Sequence, residues 1–230
     1  MSLKPGKKGD ANKSWNLRSQ TAKPYATTKT VNKTFLIVCE GKNTEPEYFR
    51  KFPVQSVEVF AKGLGRSKSS LVIEAKRLKA EPDFKGAEVW CVFDYDRKPD
   101  EGNTQPEDFN AAIADATKSG MKVAWSNDSI ELWFLLHYQY LDTSIERNRY
   151  YPILKRIWEL DSFSREAKSK SFCEGLYELL QKNPASQEQA IEWAASLDQQ
   201  HMEKGLPYHQ RCPCTTVYNL VSALNVYIKK

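Results

Sequence analysis

The chain has 230 residues, 40% of them hydrophobic and 27% charged, a balance that suits a folded globular protein and excludes a disordered or fibrous one. No apolar run approaches the ~20 residues of a membrane span, and the first residues lack the apolar core of a secretory signal, so no membrane association is expected. The net charge of +5 sits at one end: residues 1–33 hold eight Lys or Arg against Asp10 alone, a local +7, and the rest of the chain carries −2.

Residues 1–33 show little apolar period and read as a basic disordered arm, either a solvated tail or an arm that tracks phosphates. The five cysteines are an odd number, and two lie inside apolar strand patterns, which fits reduced thiols in a cytoplasmic protein. Residues 34–39 (TFLIVC) read as a buried strand. Glu40 ends it, Gly41 permits a sharp turn, and Thr44 with Glu47 suggests a capping box for a helix whose apolar side is Tyr48, Phe49 and Phe52. Residues 54–60 alternate as a second strand. The basic loop 62–68 (KGLGRSK) offers Arg66 and Lys68 to backbone phosphates, although a plain loop explains it as well. Leu71, Val72, Ala75 and Leu78 mark a helix over 69–80.

The third strand, 89–93 (VWCVF), runs into Asp94 and Asp96. After a polar loop, Phe109, Ala112, Ile113 and Ala116 mark a helix over 107–118, stopped at Gly120. Residues 121–125 form a short fourth strand, and Ser126, Asn127 and Asp128 offer caps for a helix over 130–138. Strand and helix in alternation signal parallel βαβ units, so residues 34–140 are expected to form an α/β core with a parallel sheet of about four strands. Beyond residue 140 the strand signal ends. Helices are expected over 149–160, 165–181, 186–203 and 216–228, making 141–230 a helical part packed on the core.

Side chains alternate along extended chain, so Asp94 and Asp96 face one way and Tyr95 the other. Two carboxylates so placed repel unless a cation lies between them, and hard oxygen ligands suit Mg²⁺; a solvated acidic turn explains the pair alone at least as well. Parallel sheets bind ligands beyond the carboxyl ends of their strands. Glu40 follows strand one, Glu45 stands in the first turn after it, and Glu131 opens the helix after strand four, so five acids are expected at that edge. Gathered there, they should raise one another's pKa unless metal neutralises them.

The segments VCEGKNTEPEYF (38–49), VWCVFDYD (89–96), SNDSIELWFLLHY (126–138) and TTVYNL (215–220) together resemble the signature blocks of RloB-like proteins, a Toprim-related family similar to OLD-type nucleases. Two blocks depart from the family pattern: Asp128-Ser129-Ile130 stands where Pro-Cys-Phe is usual, and Cys212-Pro213-Cys214 where Asn-Pro-Ser is. The resemblance implies a Toprim-like Rossmannoid sheet and Mg²⁺- or Mn²⁺-dependent phosphodiester hydrolysis on DNA or RNA, in bacterial restriction-associated defence and with a defence-system partner protein. Within it Asp94 and Asp96 match the metal-binding pair, and Glu40 matches a metal ligand or general acid/base. Glu45 matches the second glutamate of the OLD-type block, able to hold a second metal. Ser126, Asn127 and Glu131 match the third block: Asn127 would orient a carboxylate or phosphate, and Ser126 and Glu131 would support the ligands, Glu131 even directly. Lys42 lies in the turn after Glu40 and either contacts the scissile phosphate or faces solvent as a counter-charge. The alternative function is a non-catalytic nucleic-acid or nucleotide-binding module, or a partner subunit.

His137 lies among Leu132, Trp133, Leu135 and Leu136 and reads as a core histidine. His201, His209, Cys212 and Cys214 lack the paired spacing of a structural zinc site.

Overall fold

Strands β1 (Lys33–Cys39), β2 (Val57–Gly63), β3 (Glu88–Asp94) and β4 (Lys122–Asn127) pair in parallel in the order β2-β1-β3-β4. A two-residue β5 (Cys214–Thr215) adds antiparallel to β4 and completes a five-stranded sheet. This computed structural model describes residues 33–228 except 56, 66 and 98–103; residues 1–32 of the basic arm and Arg66 therefore lie outside the described residues, and Lys33 opens β1. The α/β fold with a mostly parallel sheet is as the sequence implies. The fifth strand is the addition, and its pairing of Ser126 with Thr215 joins segments far apart in the chain.

Both faces of the sheet are covered, which is why its strands read as unbroken apolar runs. On one face Leu36, Val38, Cys91 and Phe93 pack against Leu71, Val72 and Ala75 of α2 (Lys68–Lys79) and Phe109 and Ile113 of α3 (Thr104–Lys118), the helix positions that the 3.6-residue period marks. On the other, Phe35, Ile37, Cys39, Trp90 and Val92 meet Tyr48 and Phe49 of α1 (Thr44–Arg50) and Trp133 of α4 (Glu131–Leu135). The same core continues through Leu154 of α5 (Arg147–Ile157), Ala194 of α8 (Gln187–Glu203) and Leu220 of α9 (Val217–Asn225). Inside it the Trp133 indole donates to the Tyr48 hydroxyl at 3.0 Å, so the polar ends of two large side chains satisfy each other.

Several local expectations are corrected. The second strand begins at Val57, not residue 54, because pairing with β1 puts Val57, Val59 and Ala61 on the helical face; Val54 instead makes an isolated bridge to Ile228. Lys62 and Gly63 thereby belong to β2, and Lys68 opens α2. Thr44 is the first residue of α1 rather than its cap, and no side chain caps that helix: Glu47 pairs with Arg50 at 2.5 Å, and the Glu45 carboxylate takes the Gly41 N–H. Ser126, Asn127 and Asp128 do not cap α4, which is shorter than expected and follows Ile130. The expected helix over 165–181 divides into a π-type turn, Phe163–Ala167, then α6 (Lys170–Glu174) and α7 (Leu176–Leu179), with Gly175 between them. Ser186 does cap α8, its hydroxyl accepting from the Gln189 N–H at 3.2 Å. All five cysteines are free thiols, and no helix among the described residues is long and apolar enough to cross a membrane.

His137 is a core residue, 1% exposed. Its Nδ1 meets the Trp133 carbonyl at 2.9 Å, and burial pushes its pKa down to about 4. A histidine held neutral in the fold but protonated when unfolded below its ordinary value of about 6.5 makes stability fall as pH drops through that window. The loss should approach roughly 3 kcal/mol between pH 6.5 and 4. Urea titrations across that range should show the slope in wild type and a shallower one in His137→Gln. Parallel slopes would assign the acid sensitivity to other groups.

Candidate active site

Glu40 and Asp94 reach one edge of the sheet from opposite faces. Glu40 follows Val38 in the alternation and leans toward α2; Asp94 follows Val92 and leans toward α4. They meet where β1 and β3 end: Glu40 Oε2 accepts from the Asp94 backbone N–H at 3.2 Å. Glu40 Oε1 lies 3.5 Å from Nζ of Lys68, which is only 7% exposed. Asp94 Oδ2 accepts from the Ile130 N–H at 3.0 Å, which ties the β3 terminus to the entrance of α4. Tyr95 turns to the other face and packs edge-on against Phe109, as alternation requires. Asp96 is no longer extended; its φ of 51° turns the chain sharply. The Asp96 N–H then bonds the Asp128 carbonyl at 3.0 Å.

The turn after β1 is built around Glu45. Its carboxylate takes the Gly41 N–H at 3.1 Å and leaves no room for a side chain at that glycine, where a Cβ would fall 2.1 Å from Oε2. Gly65, with a φ of 61°, lets the β2 loop pass under the Lys42 stem, whose Cε would be 2.4 Å from an added Cβ.

Glu40, Glu45, Asp94, Asp96 and Glu131 share the walls of one cavity of about 250 Å³ with Lys42, Arg147 and Lys168. Five acids thus face three bases. Burial, and then the charges of Asp96, Glu45 and Glu131, push the Asp94 carboxyl well above the usual range. Burial also raises Glu45, and raises Glu40 against the pull of Lys68. Glu131 goes the other way: burial at 2% exposure acts to raise it, but the Lys168 ammonium, ion-paired with it, outweighs that and holds it below the ordinary value. Arg147 pairs with Asp96. Lys42 is exposed and has no ion pair among the described residues, so its charge at the cavity wall is uncommitted.

The sequence expectation therefore comes together for Glu40, Lys42, Glu45, Asp94, Asp96 and Glu131, with Lys68 behind Glu40. Lys68 stands as a partner of that acid rather than as an outward phosphate contact. Ser126 and Asn127 do not line this cavity. Ser126 bonds the Thr215 hydroxyl at 2.9 Å, holding β4 to β5, and the Asn127 amide donates to the His209 carbonyl at 2.9 Å beside a second cleft. Sequence reasoning missed Arg147, Lys168 and Asp128. The one signal for the bases was the unbalanced charge itself, since five gathered acids require cations from somewhere. The Asp128 carboxylate binds the backbone N–H of Arg97 at 2.6 Å and of Arg147 at 3.4 Å, joining the β3 loop to α5.

As the side chains are placed, no three His, Cys, Asp or Glu among the described residues stand close enough together to hold a metal ion. Each acid is instead drawn to its own donor: Lys68, Arg147 and Lys168 in three cases, backbone N–H groups at Glu45 and Asp94. His201, His209, Cys212 and Cys214 form no zinc site either; His201 bonds the Pro213 carbonyl and His209 bonds Asn110. The donor set around the cavity still fits a hard divalent cation. Its five acids offer carboxylate oxygens, and Asp94 is disfavoured as an anion by three like charges that such a cation would neutralise.

Neither the curated proteins nor the solved structures compared with this chain give a match. Residues 35–224 match the family described as RloB-like protein, spanning β1 through α9 and every acid of the cavity, and the chain belongs to that family.

Proposed function

We propose that the protein is a nuclease of the Toprim type, hydrolysing phosphodiesters of DNA or RNA with Mg²⁺ or Mn²⁺ at the acidic cavity, in bacterial restriction-associated defence. The observation that carries this reading is the convergence of Glu40, Asp94 and Asp96 with Glu45 and Glu131 at the carboxyl edge of a parallel sheet. Asp94, Asp96, Glu40 and Glu45 would hold the metal, which when bound supplies charge neutralisation on the attacking and leaving oxygens. The chain's own groups do the rest. Lys42, with no ion pair among the described residues, offers its ammonium to a non-bridging phosphate oxygen. Glu40, its pKa raised by burial, takes the proton of the attacking water at Oε1. Arg147 and Lys168 supply positive charge to the phosphate once released from Asp96 and Glu131.

The existing ion pairs favour a second reading, a non-catalytic nucleic-acid or nucleotide-binding module whose acids are satisfied without metal. One experiment separates the two. End-labelled single- and double-stranded DNA and RNA are incubated with the protein in Mg²⁺, Mn²⁺ or chelator. The nuclease reading expects cleavage of at least one substrate only with metal, reduced roughly 100-fold or more in Glu40→Gln. Intact substrates in both metals would overturn it, and retained binding by fluorescence anisotropy would support the module.

A further inference from the structure

A larger cleft of about 690 Å³ lies beside the acidic cavity, across the backbone from it. Asp96 lines the acidic cavity, while its neighbours Tyr95 and Arg97 line the cleft. Consecutive Cα atoms are about 3.8 Å apart, so the two spaces adjoin. A second joint does the same: Asp128 lines the cleft and accepts from the N–H of Arg147, which lines the cavity.

The walls of the cleft are chemically mixed. The Arg97 guanidinium and the Gln210 amide are exposed and make no hydrogen bond or ion pair among the described residues. The orientation of His209 is fixed. Its backbone N–H donates to Asn110 Oδ1 at 3.2 Å, so the Asn110 Nδ2 must be the group 2.7 Å from the ring Nδ1. Nδ1 therefore accepts, and the ring proton sits on Nε2. Tyr95 lies beside this ring, centroids 6.4 Å apart. The acidic residues Asp128 and Glu146 line the same space.

This combination discriminates among ligands. A second phosphate would meet two carboxylates along with Arg97. A metal finds no cluster of ligands there among the described residues. A neutral planar group with apolar faces and both donors and acceptors on its edge matches ring surfaces, a free amide, a guanidinium and carboxylates together.

We infer that the cleft is a nucleobase subsite, receiving an unpaired base of the strand whose phosphate occupies the acidic cavity. Its position relative to the phosphate rests on the nuclease reading; its chemistry does not. A base buried there cannot remain stacked in a duplex, so the substrate class is single-stranded or locally opened nucleic acid.

The test uses ligands with no phosphodiester bond to cut. The full chain is titrated calorimetrically with AMP, GMP, CMP and UMP, and with ribose 5-phosphate as the ligand lacking a base. At least one nucleotide should bind tenfold or more tighter than ribose 5-phosphate. The double variant Arg97→Ala/Gln210→Ala, which removes two exposed side chains with no side-chain bonds among the described residues, should lower that preference at least fivefold with an unchanged melting temperature. Binding of ribose 5-phosphate as tight as every nucleotide, or a preference untouched by the double variant, would overturn the inference. An absence of cleavage with the base preference intact would overturn only the nuclease reading.

Discussion

Asp94→Asn is expected to melt above the wild-type protein in chelator and to cleave nothing. The two effects share one cause. In the absence of metal the Asp94 carboxylate is short of water and faces Asp96, Glu45 and Glu131, so its ionised form opposes folding. An amide removes that charge while its oxygen still accepts the Ile130 N–H that Asp94 holds at 3.0 Å. Relief on the order of 1 kcal/mol would raise the melting temperature by roughly 2–4 °C. The same change removes a ligand on which charge stabilisation of the reaction depends, and a loss of roughly 100–1,000-fold or more in rate is expected. Thermal melts with and without Mn²⁺ give a second readout: metal should raise the wild-type midpoint and leave Asp94→Asn unmoved. A variant that melts lower and still responds to Mn²⁺ would remove Asp94 from the metal-binding set.

Of the substitutions, Lys168→Met should lower stability most. Glu131 is 2% exposed, and Lys168 provides the ammonium that keeps it ionised. Removing one partner of a fully buried pair costs roughly 3–5 kcal/mol. The Lys168 side chain keeps 37% of its surface in water, so water replaces part of what the methionine cannot supply. A loss of about 2 kcal/mol, or roughly 4–8 °C, is therefore expected. Adding Glu131→Gln to Lys168→Met should recover most of it, because the stranded charge is then gone. If the double variant melts no higher than the single one, the lysine acts through packing on Tyr151 and Phe163, whose ring centroids lie about 6 Å from its ammonium, rather than through charge.

The acids were legible in the sequence because each is adjacent to a local signal. Glu40 and Asp94 end apolar runs, Glu45 follows a turn glycine, and Glu131 opens a helix after the fourth strand. A parallel sheet brings such ends to one edge whatever the details of the loops. The bases were not legible for the converse reason. Lys168 follows a π-type turn that no periodicity announces, and Arg147 begins a helix whose apolar stripe first shows itself later, at Tyr150 and Leu154. Their partners lie 37 and 51 residues earlier in the chain, so only the folded chain joins them. The position of β2 was misread because alternation over 54–60 fits either register, and only pairing with β1 decides it. Asn127 was assigned to the acids from its place in a shared block. One residue of alternation after Ser126, at the end of β4, instead puts it beside His209.

The two borders of the sheet differ in what they permit. β5 is fully buried at both residues, so beside Ser126 and Asn127 that border offers no backbone to another chain. Among the described residues β2 has no partner on its outer side, and its own residues alternate between covered and exposed. Strand addition through the β2 border alone joins one copy to a second border to border, and each copy then has that border filled. Growth by that route ends at a closed pair and cannot propagate into a fibre.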